Sequence, residues 1–138
     1  MTYAGDVTPA EAFAALTQEP AAVLVDCRST AEWQFVGIPD LASVSKQVVL
    51  VEWQRFPDGS LNARFFDELG AAGVGHDQPV YFMCRSGQRS QAAAVAATAA
   101  GYASAFNVAF GFEGGPDLSG HRGTGSGWKA EGLPWRQQ

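Results

Sequence analysis

Cysteine is scarce in this chain, with two among 138 residues, Cys27 and Cys84. Two thiols without a secretory leader do not make a disulfide scaffold. Histidine is equally scarce, and His76 and His121 do not combine with the cysteines at zinc-ligand spacing, so no metal is expected. Basic residues are few: nine Lys and Arg against 14 Asp and Glu give a net charge of -5. That balance argues against a general binder of nucleic acid or anionic membranes, both of which need a basic face. It leaves room for a small local basic site. The longest apolar stretch, around Ala92 to Ala100, is alanine-rich and too short to span a bilayer. The N-terminus "MTYAGDVTPAEAF" has no basic segment leading into an apolar one. The expected location is the cytoplasm, with both thiols free.

What is present is an ordinary globular composition, 46% hydrophobic and 17% charged. The length suits one domain over residues 1–138. Thr8-Pro9-Ala10-Glu11 opens a helix as cap, first-turn proline and capping-box acid, with the helix running to about Thr17. "AVLVDCR" (22–28) is a short continuous apolar run, as in a strand covered on both faces. Ser29 or Thr30 caps a short helix that Gly37 ends. A strand is expected within "ASVSKQVVLVEW" (42–53), a turn in "FPDGS" (56–60) and a helix in "NARFFDELGAAGV" (62–74). "QPVYFMC" (78–84) reads as a second buried strand, residues 89–100 as a helix stopping at Gly101, and "SAFNVAFG" (104–111) as a third buried strand. From Gly111 the chain turns glycine-dense: the stretch from there to Trp135 holds eight of its 16 glycines. Long glycine-rich loops in compact domains are usually functional or mobile. Alternating strands and helices predict an α/β domain with a mainly parallel sheet and helices on both faces. Ligands bind such sheets beyond the carboxyl ends of the strands, and Cys84 falls at one.

The segment "CRSGQRS" (84–90) therefore carries the chemistry. The first N–H groups of a helix lack internal partners and carry partial positive charge. A short loop from strand to helix turns such groups inward and makes an anion cradle. Gly87 supplies the positive φ that the curl needs. A cysteine sulfur aimed into the cradle is favoured as thiolate, the nucleophilic form. Arg85 and Arg89 add positive charge for an anionic substrate. A phosphate-binding GxxxxGK[ST] loop is absent. Cysteine phosphatases place an arginine six residues after the cysteine; here that position is Ser90, and Arg89 comes one residue early. The shorter loop, Arg85, Ser86, Gly87, Gln88, Arg89 and Ser90 around Cys84, suits a single sulfur atom carried on the cysteine.

Taken in order, "VLVDCR…EW…G" (23–37), "CRSGQRS" (84–90), "GYASAFNVAFGFEG" (101–114) and "GWKAEGLPW" (127–135) resemble the signatures of the rhodanese family of sulfurtransferases. The resemblance covers about residues 5–136. It implies a three-layer domain with a five-stranded sheet. It also implies a ping-pong reaction in which Cys84 takes the sulfane sulfur of a donor such as thiosulfate and passes it, as a persulfide, to a thiol or to cyanide. No cofactor beyond that transient persulfide is implied. Two departures stand out: "VGIPDLAS" lacks the histidine common there in the family, and a glycine-rich loop at about 113–127 appears as an insertion before the tryptophan segment.

Other residues have competing readings. Asp26 and Arg28 read as structural, with Asp26 also able to brace the catalytic loop from behind and Arg28 able to pair with Glu32, four residues on, if the segment is helical. Cys27 reads first as a buried cysteine and second as a resolving thiol for Cys84, because the family's sheet order, which the resemblance implies, sets the strand ending at Cys27 beside the one ending at Cys84, and adjacent strands lie about 4.8 Å apart. His76 reads as a surface loop residue. His121 with Arg122 lies in the insertion, where it can face substrate. Trp33, Trp128 and Trp135 read as packing residues. A cysteine phosphatase or arsenate reductase, and a non-catalytic binding or regulatory module, are the rival functions.

Overall fold

The computed structural model describes residues 2–55 and 58–138. In chain order the elements are β1 (Gly5–Val7), α1 (Pro9–Gln18), β2 (Val23–Asp26), α2 (Thr30–Phe35), β3 (Ile38–Pro39), a 3-10 turn (Ala42–Val44), β4 (Val49–Leu50), α3 (Phe65–Ala71), β5 (Pro79–Met83), α4 (Gln88–Ala99), β6 (Ser104–Val108) and β7 (Trp135–Arg136). Strands β1-β6-β5-β2-β4 form one sheet in which every neighbouring pair is parallel. β3 and β7 make a separate antiparallel ribbon.

Side chains alternate across the sheet and create two cores. Val25, Val80 and Phe82 face α3 and α4, joining Phe65, Leu69 and the alanines of α4. Leu24, Tyr81, Met83 and Val108 face the other way, onto Ala12 and Leu16 of α1 and the fully buried Trp128. Burying a phenylalanine such as Phe65 or Phe82 stabilises the fold by about 1.5–3 kcal/mol. Ala93, Ala94 and Ala97 are fully buried, so the alanine run is the surface on which α4 lies against the sheet.

Local sequence signals explain the helix starts. Thr8 and Glu11 form a reciprocal capping box on α1, and Ser29 and Glu32 form another on α2. Gly101, at φ 101°, follows α4 as expected. The strand expected within 42–53 is β4, two residues long after a 3-10 turn. One expectation needs correction. The third buried strand ends at Val108 rather than at Gly111, because Phe110 and Gly111 turn with positive φ. The C-terminal segment adds β7, which pairs with β3. Of the expected turn at 56–60, residues 56 and 57 lie outside the described residues, while Asp58 accepts hydrogen bonds from the Ser60 amide and hydroxyl.

Candidate active site

β5 carries the chain to Cys84 at the carboxyl edge of the sheet, on the α4 side. The cysteine is 1% exposed. Gly87 is the N-cap of α4, with φ 113° and no side chain to cap the helix. The sulfur does that work. Cys84 Sγ accepts hydrogen bonds from the amides of Gly87 at 3.1 Å and Ser90 at 3.4 Å, and lies 3.2 Å from Ser90 Oγ. An N-cap side chain normally accepts from the third helical residue; here Ser90 is that residue and the cysteine sulfur takes the place of the cap.

A strap closes behind the loop. The amide of Phe112 donates to Cys84 O at 2.8 Å, and those of Glu113 and Gly114 donate to Arg85 O at 3.0 and 3.1 Å. Gly111 has φ 58°, and a Cβ there would stand 2.6 Å from Arg85 O. Only glycine lets the strap approach the loop this closely.

The two loop arginines differ. Arg89 is committed: its Nη1 and Nη2 donate to Glu32 Oε1 and Oε2 at 2.7 and 3.0 Å. Burial pushes the Glu32 carboxyl up, but the hydrogen bonds from Arg89 and Ser29, with the arginine's charge, outweigh it and bring it down from 4.5 to about 2. The hydrogen bonds to Glu32 raise Arg89 in turn. The sequence expectation that both arginines serve the substrate is thus corrected. Arg85 is exposed and makes no side-chain hydrogen bond or ion pair among the described residues, so it is the cation left at the mouth. Ser86 is half-buried and Gln88 exposed, and neither side chain is bonded among the described residues.

The pairing of Arg28 with Glu32 is also corrected. Arg28 is fully buried and grips Asp26 through Nε at 2.9 Å and Nη2 at 2.6 Å, with Nη2 also donating to Gly37 O. Its guanidinium lies 4.2 Å from the centre of the Phe112 ring. Among the described residues, Asp26 has no direct bond to the Cys84 loop. The pair reaches it through Phe112, whose amide holds Cys84 O.

Cys27 directly follows β2, beside Cys84, as the register Asp26↔Met83 requires. It is fully buried, and its thiol donates to Met83 O at 3.4 Å. Burial pushes this thiol well above its ordinary value, and the neighbouring Cys84 and Asp26 add to the effect.

Residues 114–127 leave and re-enter at one neck. Arg122 Nη1 donates to Gly114 O at 2.6 Å, and Gly123 N donates to Glu113 O at 2.7 Å. Arg122 therefore ties the neck together. Asp117 organises the tip, accepting from the Ser119 and His121 amides and from the Thr124 hydroxyl. His121 and His76 are exposed, and His76 stacks on Tyr102 with ring centres 4.3 Å apart. Trp33 and Trp128 are packing residues, whereas Trp135 is 41% exposed and carries Lys129 Nζ over its ring. Among the described residues, no cluster of His, Cys, Asp and Glu is placed to hold a metal, and no helix is long and apolar enough to cross a membrane.

Sequence reasoning missed Glu32 as the partner of Arg89, and Asn107. The capping-box spacing Ser29 to Glu32 was a signal for the first. A lone asparagine inside the apolar "SAFNVAF" was the signal for the second.

Residues 9–115 match the family model described as the rhodanese-like domain. The chain belongs to the rhodanese-like domain family. The crystal structure of Rv0390 from M. tuberculosis is 51% identical, with a TM-score of 0.89 over 99% of this chain and all of that one. An uncharacterized protein of Rickettsia conorii is 36% identical over 132 residues, 95% of this chain and 96% of its own length. The polysulfide-sulfur transferase homodimer of Wolinella succinogenes shares the rhodanese-like fold at 19% identity, with a TM-score of 0.63 over 96% of this chain and 78% of that one.

Proposed function

We propose that this rhodanese-like domain is a sulfurtransferase with Cys84 as its sulfur carrier. The observation that carries the reading is the cysteine sulfur seated on the amides of Gly87 and Ser90 at the start of α4. Such a seat favours negative charge on sulfur. The Cys84 thiolate attacks the outer, sulfane sulfur of a small anionic donor such as thiosulfate. The donor's sulfur–sulfur bond breaks and sulfite leaves with its electron pair. A new sulfur–sulfur bond remains on Cys84, with the charge on the terminal sulfur. An acceptor thiolate or cyanide then attacks that terminal sulfur and releases the Cys84 thiolate, so no net oxidant is consumed.

Arg85 supplies the free charge that draws the donor to the mouth, while Arg89 holds the loop in shape. The Wolinella protein that shares this fold is itself named a polysulfide-sulfur transferase. The phosphatase alternative is disfavoured, since Ser90 stands where that chemistry needs an arginine and Arg89 is held by Glu32.

Intact mass spectrometry tests the reading. Incubation with thiosulfate should add roughly 32 Da, one sulfur atom, that cyanide removes and Cys84→Ala abolishes. No adduct with thiosulfate or with an inorganic polysulfide overturns it.

A further inference from the structure

Ser90 Oγ has two neighbours and one hydrogen. It lies 3.2 Å from Cys84 Sγ and 2.6 Å from Asn107 Oδ1. A hydroxyl donates once, so the two cannot both receive that hydrogen. What faces Ser90 is decided one residue further back. Asn107 Nδ2 donates to Asp6 Oδ1 at 3.0 Å. A carboxylate only accepts, so Asp6 requires the NH2 of the Asn107 amide and leaves its carbonyl for Ser90. Asp6 is itself held by the Tyr3 hydroxyl at 2.8 Å, and Tyr3 accepts from Gln91 Nε2 on α4 at 2.9 Å. Asn107 is 4% exposed and sits on β6, where an apolar residue would pack without a partner.

From this arrangement we infer that Asn107 and Asp6 are positioning residues that set the protonation balance of Cys84 through the Ser90 hydroxyl. The inference rests on Cys84 being the nucleophile of the proposed sulfurtransferase. In the resting thiol, Ser90 gives its hydrogen to Asn107 and offers Cys84 a lone pair, which accepts the S–H. When Cys84 ionises, the hydroxyl turns to donate to sulfur, and the Asn107 carbonyl loses its hydrogen bond. Ionisation therefore works against a bond that Asp6 keeps in place. The Asn107 carbonyl and the sulfur thus compete for the one Ser90 hydrogen.

The other charged or titratable groups around the sulfur come from separate elements. Arg89 and its partner Glu32 stand at the α4 start and on α2, Arg85 follows Cys84 in the chain, and Cys27 follows β2. Their hydrogen bonds do not involve Ser90 or Asn107, so substitution at Asn107 leaves those bonds in place.

Peptide-resolved alkylation of Cys84 by iodoacetamide, from about pH 5 to about pH 9, reads the balance directly. Asn107→Leu should move the inflection to lower pH and speed alkylation near pH 6 by roughly three- to tenfold, the worth of one hydrogen-bond competition. Asp6→Asn, which frees the Asn107 amide to turn over, should shift it the same way by less. In a Ser90→Ala background Asn107→Leu should add nothing, because the coupling runs through that hydroxyl. An unmoved inflection in Asn107→Leu overturns the inference, as does an equal effect without Ser90. Should circular dichroism show Asn107→Leu unfolded, Asp6→Asn decides alone: an unmoved inflection there overturns it. Alkylation needs no sulfur donor, so this result is independent of whether thiosulfate loads Cys84.

Discussion

Arg89 and Glu32 meet as a two-point ion pair, 2.7 and 3.0 Å, that ties the active loop to the first turn of α2. The same carboxylate caps that helix by accepting from the amide and hydroxyl of Ser29. One side chain thus fixes the start of a helix and the end of the loop, and it does so as an anion.

The pair makes stability depend on acid. Glu32 sits at about 2 in the folded protein against an ordinary 4.5. A lowered carboxyl stabilises above its unfolded value, and that contribution is lost as pH falls through the folded one. The contribution is complete above about pH 4.5 and fades toward about pH 2. Glu32→Gln should cost about 1–3 kcal/mol at neutral pH, between the values for exposed and fully buried pairs. Urea unfolding at several pH values should show the gap from wild type closing as the medium becomes acid.

Arg85 stands outside such commitments. Arg85→Ala should raise KM for thiosulfate by roughly tenfold while leaving kcat within about threefold, because a rim charge mainly steers and binds an anion. Rising salt should weaken thiosulfate use by the wild type more than by the variant. Equal KM values would remove Arg85 from donor binding.

Gly111 should tolerate no side chain. A Cβ there meets the carbonyls of Cys84 and Arg85 in a backbone already at φ 58°. Gly111→Ala should destabilise by more than about 2 kcal/mol and distort the loop. Gly115→Ala is the control, since its Cβ meets nothing within 4 Å. Thermal melts of the two variants should differ clearly.

Cys27 is expected to stay silent. Its thiol is fully buried, bonded to Met83 O and held in the neutral form by burial. Cys27→Ser should keep sulfur-transfer turnover within about twofold and leave peroxide sensitivity unchanged, and native-state alkylation should mark Cys84 alone. A peroxide-induced disulfide between the two, mapped by peptide mass, would restore the resolving role.

Most of the sheet was legible because strands buried on both faces carry continuous apolar runs, as in "VYFM" before Cys84. The helices announced themselves through Thr8, Ser29 and Gly101. β7 was not legible: Trp135 and Arg136 have no strand pattern of their own, and they pair only because the chain returns to β3. Within the site, the loop residues and Cys84 could be read from their order. The partners of Arg28 and Arg89 could not, since spacing along a helix favours Arg28 with Glu32 while the fold brings Arg89 across 57 positions to that carboxylate. Asn107 belongs to the same class, its meaning supplied by Ser90 and Asp6, 17 and 101 positions away.

The neck at Glu113–Gly114 and Arg122–Gly123 has a consequence for how such a domain can diversify. The strap bonds that support Cys84 all lie on the domain side of it, at Phe112, Glu113 and Gly114. The tip, with its fully exposed Leu118, lies on the far side. Doubling the length of a flexible loop costs only about 0.6 kcal/mol. Residues 115–121 can therefore be lengthened, shortened or rewritten without disturbing the Cys84 loop. The fold carries, beside the Cys84 loop, a stretch of chain free to acquire new surface chemistry while that loop stays as it is.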